Sequence, residues 1–208
     1  MQILPNLQGA IVAYMPINEA VVIATPALLC QQANNTTNPK RQRELIAVRV
    51  LLYCALNKEV AIVYDQHRKP HLADNSYHIG ISHTSEWVAI ILHPTKHVGI
   101  DIETIMSRVG KVRAKFLSNI ENQSVLPNDY TTLTTYWCAK EAAYKWYGKK
   151  EVDFAAHLKI AIDEPHQTPQ HQIINTLPIM LDMPHLTQIL SVHYTLILPN
   201  VVMAWVIA

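Results

Sequence analysis

The pattern of hydrophobic and polar positions predicts two long amphipathic helices. Between Pro39 and Leu56 apolar residues recur every three or four positions, which is the spacing of one helix face. Asn38 and Pro39 supply an N-cap and a proline in the first turn, a typical helix start. A second stretch, from about Tyr130 to Tyr147, has apolar residues at 133, 136, 137, 144 and 147. We expect each helix to bury one side in a core.

Short apolar segments around the helices predict β-strands at 60–64, 77–82, 87–92, 98–103, 187–198 and 201–208. We expect 77–82 and 87–92 to form a hairpin, and the last two segments to meet at the turn Pro199-Asn200. The polar stretch 31–38 and the proline-rich stretch 165–184 are predicted to be irregular. Because residues 1–95 and 96–208 each contain a long helix followed by a strand pair, the pattern predicts an α+β fold. We interpret the halves as two similar lobes that meet at a central cleft.

The composition argues against several classes of protein. The chain has 208 residues, of which 50% are hydrophobic and 16% are charged, which is typical of a globular protein and not of a disordered one. Its apolar runs are shorter than the ~20 residues of a transmembrane helix, and its N-terminus lacks the features of a secretory signal. With 17 basic and 16 acidic residues, it is expected to bind neither nucleic acid nor membranes through overall charge. Three widely spaced cysteines, Cys30, Cys54 and Cys138, show no disulfide or zinc pattern, so we expect a cytoplasmic protein.

One segment departs from this neutral balance. Residues 106–118, here called the basic segment, contain four cations and no acid: Arg108, Lys111, Arg113 and Lys115. Such a run is either a solvated helix or loop surface, or a docking surface for an acidic partner. The pattern leaves both interpretations open.

Two carboxylates stand close together in segment 98–103. Alternation along a strand places Asp101 and Glu103 on one face, with Ile100 and Ile102 on the other. Neighbouring negative charges repel unless they face open water or share a cation. Oxygen ligands favour a hard ion such as Mg²⁺. The segment is therefore either a solvent-exposed strand edge or part of a magnesium site.

The second predicted helix carries charged residues beside its apolar stripe. Lys140 lies on the stripe, so we expect its side chain to enter the core or a cleft unless it snorkels to water. Glu141 and Lys145 have the i, i+4 spacing that places both on one face, where they could also form an ordinary exposed ion pair. A third carboxylate and two ammonium groups beside large aromatic residues favour a site that handles phosphate.

The first half contributes a smaller polar group. Arg68 and Lys69 precede a predicted strand, and Ser82 and His83 stand at the expected hairpin connection. A single histidine such as His83 is more often a structural residue than a ligand. The other ten histidines show no HxxH or HExxH metal pattern, so we interpret them as surface or packing residues.

Five motifs in a fixed order resemble the 4'-phosphopantetheinyl transferases of the surfactin-synthetase-activating type. They are RKP at 68–70, ISHTSEW at 81–87, VGIDIE at 98–103, KFLS at 115–118 and WCAKEAAYK at 137–145. The match extends from about Arg43 to Gly148, and the last helix motif together with Gly-x-Asp-x-Glu is highly specific. The resemblance implies a pseudo-two-fold dimer of two α+β lobes within one chain, with coenzyme A bound between them. Such an internally duplicated chain is expected to be a monomer.

The resemblance also implies a reaction, the transfer of phosphopantetheine from coenzyme A to a serine of an apo acyl or peptidyl carrier protein, with release of 3',5'-ADP. Magnesium is implied, with Asp101, Glu103 and Glu141 as its ligands. Glu141 also matches the base that accepts the proton of the serine, directly or through a metal-bound water. Lys145 matches the lysine that neutralises the diphosphate and protonates the leaving phosphate. Together with Lys140 from the helix argument, the residues expected to bind coenzyme A are Arg43, Lys69, Ser82, His83, Lys140 and Lys145. Carrier proteins of this family present an acidic helix, which favours docking at the basic segment.

Three positions depart from the family pattern. Arg68 stands where glycine is usual, so its turn must differ or Arg68 must itself reach phosphate. Thr104 replaces a residue that is often basic, and Lys150 stands where glycine is common.

The alternative function is a catalytically silent regulator or scaffold that binds coenzyme A or a nucleotide on the same fold. A pure binder, however, would not need closely spaced acids that repel one another without metal.

Overall fold

A computed structural model describes residues 1–23, 36–162 and 173–208. The chain divides into two compact units, Met1–His97 and Val98–Ala208, and each contains helices and one antiparallel sheet. The predicted α+β class is therefore confirmed, whereas the similarity of the two halves and their pseudo-two-fold relation stay predictions. No helix in these ranges is long and apolar enough to cross a membrane.

The first unit contains a six-stranded sheet and two helices within its described residues. In chain order its elements are β1 (Gln2–Leu7), β2 (Ala10–Pro16), α1 (Ile17–Ile23), α2 (Pro39–Leu56), β3 (Ile62–Tyr64), β4 (Pro70–Leu72), β5 (His78–His83) and β6 (Trp87–His93). The strand order is β1-β2-β6-β5-β4-β3. Asn38 caps α2 by accepting the backbone N–H groups of Lys40 and Arg41, and the buried face of α2 packs on β2 and β6.

The second unit contains a five-stranded sheet and one long helix within its described residues. Its elements are β7 (Val98–Thr104), α3 (Arg108–Val112), a 3₁₀ turn (Arg113–Lys115), α4 (Asn119–Ser124), α5 (Tyr130–Tyr147), α6 (Phe154–His157), β8 (Leu158–Ile160), β9 (Asn175–Met183), β10 (Leu186–Leu198) and β11 (Val201–Ile207). The strand order is β7-β11-β10-β9-β8. Helix α5 packs mainly against β7 and β11, so the acids of β7 and the charged residues of α5 belong to neighbouring elements.

Both long helices are confirmed, and strands occur at or within one or two residues of every predicted strand segment. The prediction of an irregular stretch at 165–184 is wrong from residue 175 onward, where β9 pairs with β10 along its whole length. Leu177, Ile179 and Leu181 alternate into the core, while Pro178 between them faces outward and is exposed. Because the alternation survives, the proline does not prevent the strand. Residues 31–35 and 165–172 of the two stretches predicted to be irregular lie outside the described residues.

Helix α5 lies so close to β7 that one strand position admits only glycine. A Cβ atom on Gly99 would lie 2.1 Å from the carbonyl oxygen of Ala142 and 2.6 Å from the backbone nitrogen of Trp146. Both are backbone atoms, which can make room only if the helix moves. Since Asp101 follows two residues later on the same face of the strand, Gly99 sets the distance between the strand carboxylates and the helix.

Gly99→Ala is expected to lower the free energy of unfolding by about 3 kcal/mol, because the added methyl group forces the helix and the strand apart. Gly110→Ala is the matched control, since its Cβ would meet only the ring of Tyr130, 3.2 Å from Cε1, and it should cost less than about 1 kcal/mol. Urea denaturation of both variants measures the difference. Equal stabilities of the two variants would contradict the close contact between α5 and β7.

Candidate functional site

The candidate site begins with the two carboxylates of β7. Asp101 is 4% exposed, and Glu103 is half-buried. Both side chains contact α5, Asp101 through Lys145 and Glu103 through Trp137. They therefore lie on one face of the strand, as alternation predicted, and the helix covers much of that face.

Three residues of α5 face these acids at intervals of four. Trp137 Nε1 donates a hydrogen bond to Glu103 Oε1 over 3.1 Å, and Lys145 Nζ donates to Asp101 Oδ1 over 2.6 Å. Glu141 lies midway between them in sequence, so the i, i+4 repeat of the helix places it between the two contacts. Glu141 and Lys145 lie on one helix face as predicted, and Lys145 forms an ion pair with Asp101 of the strand.

The electrostatics show that the three carboxylates lie within each other's field. Burial, then Asp101, and to a lesser extent Glu103 raise the pKa of Glu141 to about 7, although Lys145 acts in the opposite direction. Burial and Asp101 likewise raise the pKa of Glu103, against the lowering effects of Trp137, Lys145 and Arg108. Glu103 and Glu141 are therefore harder to ionise, partly because each lies near the charge of Asp101.

Lys145 offsets part of this negative charge. Burial acts to lower the pKa of Lys145, but the charge and hydrogen bond of Asp101, together with the charge of Glu141, raise it overall. The ammonium group therefore stays protonated at neutral pH. It forms an ion pair with Asp101, and its charge also acts on Glu103 and Glu141.

The donor set suits a hard divalent cation. All three acids supply oxygen atoms, and a shared cation would relieve the repulsion that raises the pKa values of Glu103 and Glu141. In the described arrangement Asp101 is held by Lys145. Among the residues that the structure describes, no three His, Cys, Asp or Glu side chains are grouped so that they could hold a metal ion. The oxygen donors of the three acids fit Mg²⁺ by their chemistry, while the described side chains are not arranged around one ion.

Lys140 enters the core and not a cleft, which corrects its expected role in binding coenzyme A. Its side chain is fully buried and forms an ion pair of 2.8 Å with Glu121. Lys140 Nζ also donates to the carbonyl oxygens of Phe116 and Phe154, over 2.7 and 3.1 Å. Because its three protons are all directed at protein oxygens, none remains for a phosphate group. Lys140 is a structural residue.

The basic segment divides into exposed and structural cations. Arg108, Lys111 and Lys115 are exposed. Arg113 is half-buried, and its guanidinium group donates to the side chain of Asn122 and to the carbonyl oxygens of Asn122 and Val125. Arg113 thus ties the 3₁₀ turn to α4, and three of the four predicted cations remain on the surface.

The polar residues of the first unit form a network that sequence reasoning found only in part. Ser82 and His83 are consecutive in β5, so they lie on opposite faces of the sheet. His83 Nε2 lies 3.0 Å from Arg41 Nη1 and 3.6 Å from Glu44 Oε2, and Arg41 and Glu44 form an ion pair of 3.1 Å. The i, i+3 spacing of Arg41 and Glu44 on a predicted helix was the available signal, but nothing in the sequence connected them to His83.

The other predicted residues of the first unit occupy separate places. Arg43 is exposed and lines a cavity of about 940 Å³ that also borders Lys40, Glu44 and Trp87. Burial lowers the pKa of Lys69, although Asp65 opposes this effect. Arg68 has a φ of 67°, the left-handed conformation that glycine adopts without strain. Arg68 therefore keeps a backbone conformation that the usual glycine could also adopt, and its presence does not require a different turn.

Two residues of the helix motif support the acids and were missed as such by the sequence argument. Trp137 binds Glu103 through its indole N–H. Cys138 is fully buried beside the carboxylates, and burial, followed by Asp101 and Glu103, raises the pKa of its thiol. Cys54 and Cys138 are free thiols, and Cys30 lies outside the described residues. The i, i+4 spacing of Trp137 and Glu141 on the helix was the signal that could have identified Trp137.

Glu141 is expected to make the metal-free protein less stable as pH rises. Its pKa is higher in the fold, about 7, than in the unfolded chain, so the unfolded chain loses the proton first and stability falls between about pH 5 and 8. Glu141→Gln stays uncharged and should raise the free energy of unfolding by about 1–3 kcal/mol at pH 8, with little effect near pH 4. Urea denaturation in the presence of a metal chelator, repeated across this pH range, measures the free energy of unfolding of both proteins. The control is Glu59→Gln, at an exposed position; the same pH profile for both variants would contradict the raised pKa.

Part of the chain matches a known family. Residues 97–195 match the model of the ACPS family, described as the 4'-phosphopantetheinyl transferase superfamily. No curated protein matches the chain significantly. The matched range includes β7 and α5, and with them Asp101, Glu103, Glu141 and Lys145. The candidate site therefore lies in the part of the chain that is similar to the 4'-phosphopantetheinyl transferase superfamily.

Proposed function

We propose that the protein transfers 4'-phosphopantetheine from coenzyme A to a serine hydroxyl of an apo carrier protein, as enzymes of the surfactin-synthetase-activating type do. The observation that carries this proposal is that the charges of Asp101, Glu103 and Lys145 all act on Glu141 where β7 faces α5. The family match over residues 97–195 supports the same class of reaction.

The reaction requires a proton acceptor and compensation of negative charge. The serine oxygen forms a bond to the β-phosphorus of coenzyme A, the bond from that phosphorus to the bridging oxygen breaks, and 3',5'-ADP leaves with the electron pair. A carboxylate within reach of the serine hydroxyl can act as the general base. We assign this role to Glu141, which takes the serine proton.

Lys145 supplies positive charge to the diphosphate. Because Asp101 and Glu141 raise the pKa of Lys145 above its usual range against the effect of burial, the group is better suited to remain a cation than to give up a proton. We therefore assign Lys145 to charge compensation in phosphoryl transfer. Protonation of the leaving phosphate suits Lys145 less well. Asp101, Glu103 and Glu141 would hold Mg²⁺, which when bound neutralises charge on the diphosphate.

Residues of the first unit complete the proposed binding of coenzyme A. Arg43 and Lys69 are proposed to bind near the ribose 3'-phosphate and His83 near the diphosphate, whereas Ser82 is buried and lies on the other face of β5. Arg41 joins this group because its guanidinium contacts His83. Lys140 does not belong to it, since its ammonium group is bound in the core.

The carrier protein is proposed to dock on the exposed cations Arg108, Lys111 and Lys115 of the basic segment. An acidic helix beside the carrier serine would complement this surface, and complementary charge acts mainly on encounter and specificity. Arg113 is excluded from the docking surface because its guanidinium group is committed to Asn122 and Val125.

The alternative is a catalytically silent protein that binds coenzyme A or a nucleotide and acts as a regulator or scaffold. The acid cluster favours the enzyme, since burial and the charge of Asp101 raise the pKa values of Glu103 and Glu141, and such a cluster is costly to a fold that only binds an anion.

Incubation with coenzyme A, Mg²⁺ and a panel of apo carrier proteins should add one phosphopantetheine mass to a carrier. Glu141→Gln should reduce the rate by about 10²–10⁴-fold because the proton acceptor is lost, while coenzyme A binding measured by calorimetry stays close to that of the parent protein. Glu59→Gln is the control and should transfer normally. Binding of coenzyme A without mass gain on any carrier would support the scaffold, and unchanged turnover of Glu141→Gln would remove Glu141 from the role of base.

Charge reversal on the docking surface should act on the carrier alone. Lys111→Glu with Lys115→Glu is expected to raise the KM for the carrier by about tenfold, because two attractions become repulsions, and to leave the KM for coenzyme A unchanged. Lys96→Glu, at an exposed position of the first unit, controls for net charge. Equal changes in both KM values would contradict docking at this surface.

A further inference from the structure

The Asp101–Lys145 ion pair joins a buried acid to a partly exposed base. The side chain of Asp101 is 5% exposed and that of Lys145 is 30% exposed, with 2.6 Å between Oδ1 and Nζ. The carboxylate is thus fixed in a buried position, whereas the lysine reaches it from the direction of solvent on a flexible four-carbon chain.

The other lysine of the helix motif shows what a permanent ion pair looks like in this unit. Lys140 and Glu121 are 0% and 2% exposed, and Glu121 also accepts the backbone N–H groups of Ser118 and Ile160. Moving Lys140 would leave several polar groups buried without partners. Lys145 can withdraw toward water, so its ion pair is the exchangeable one.

A metal ion at the acid cluster would compete with Lys145 for the carboxylate of Asp101. Asp101 Oδ1 holds the ammonium group at hydrogen-bond distance, and two cations in contact with one buried carboxylate would repel each other strongly. The charge of Lys145 also acts on Glu103 and Glu141, so all three acids lie in the field of this one lysine.

We propose that Lys145 is the internal counter-ion of the acid cluster and that a divalent cation binds by exchange with it. When the metal binds, Asp101 passes from the ammonium group to the metal, and Lys145 turns to the diphosphate of coenzyme A. This inference rests on the proposed function. It predicts that Lys145 weakens metal binding in the absence of coenzyme A, and that coenzyme A tightens it by giving the displaced lysine a new anionic partner.

Mn²⁺ binding to the protein without coenzyme A tests the exchange, with the free ion followed by electron paramagnetic resonance and Mg²⁺ added as competitor. Lys145→Met should bind Mn²⁺ about tenfold more tightly than the parent protein, because the competing cation is gone. If Lys145→Met folds poorly, Lys145→Gln replaces it as the neutral variant. Lys145→Arg keeps the charge and should bind Mn²⁺ as the parent protein does. Lys149→Met is the matched control, since Lys149 lies just beyond the end of α5 and over the ring of Tyr147. It should leave the affinity within about twofold.

The effect of coenzyme A provides a second readout. It should tighten Mn²⁺ binding in the parent protein and less so in Lys145→Met. If the parent protein binds Mn²⁺ and the two neutral variants bind it no more tightly, the exchange is wrong although the metal site stands. If no variant binds Mn²⁺ with or without coenzyme A, the metal part of the proposed function fails, and the exchange fails with it.

Discussion

The contact between α5 and β7 is the constraint on which the candidate site depends. Gly99 allows the helix backbone to approach the strand more closely than any side chain would permit, and this approach brings Glu141 and Lys145 up to Asp101 and Glu103. Acids from two segments distant in sequence therefore share one partly buried space. The raised pKa values of Glu103 and Glu141 and the ion pair of Lys145 follow from that single packing contact.

The two lysines of the helix motif have different roles, one structural and one in the candidate site. Lys140 anchors the region around α4, α6 and β8 through Glu121 and two carbonyl oxygens, and so stabilises the unit that presents the basic segment. Lys145 lies five residues later, on the helix face that meets the strand acids. The two lysines are less than two helical turns apart, yet the ion pair of Lys140 stabilises the fold and that of Lys145 is proposed to open when a ligand binds.

Sequence reasoning predicted the elements that carry strong periodicity and the acids that follow from strand alternation. Both long helices begin and end where Asn38, Pro39 and the apolar stripes indicated, and Asp101 and Glu103 share a face because the strand period is two. It missed β9, since prolines obscured an alternation that the structure retains. It also misassigned Lys140 and Arg113, because the partners that bury them, Glu121 and the carbonyl groups of residues 122 and 125, are brought near only by tertiary packing. The contact of His83 with Arg41 and Glu44 was likewise invisible, since it joins a helix to a strand about forty residues away.

The most direct measurement of the central claim is anomalous diffraction from crystals grown with Mn²⁺ and coenzyme A. The account predicts one manganese peak within coordination distance of carboxylate oxygens from Asp101, Glu103 and Glu141, with Lys145 Nζ displaced from Asp101 toward the diphosphate. A manganese peak bound by other residues, with Lys145 still paired to Asp101, would contradict it.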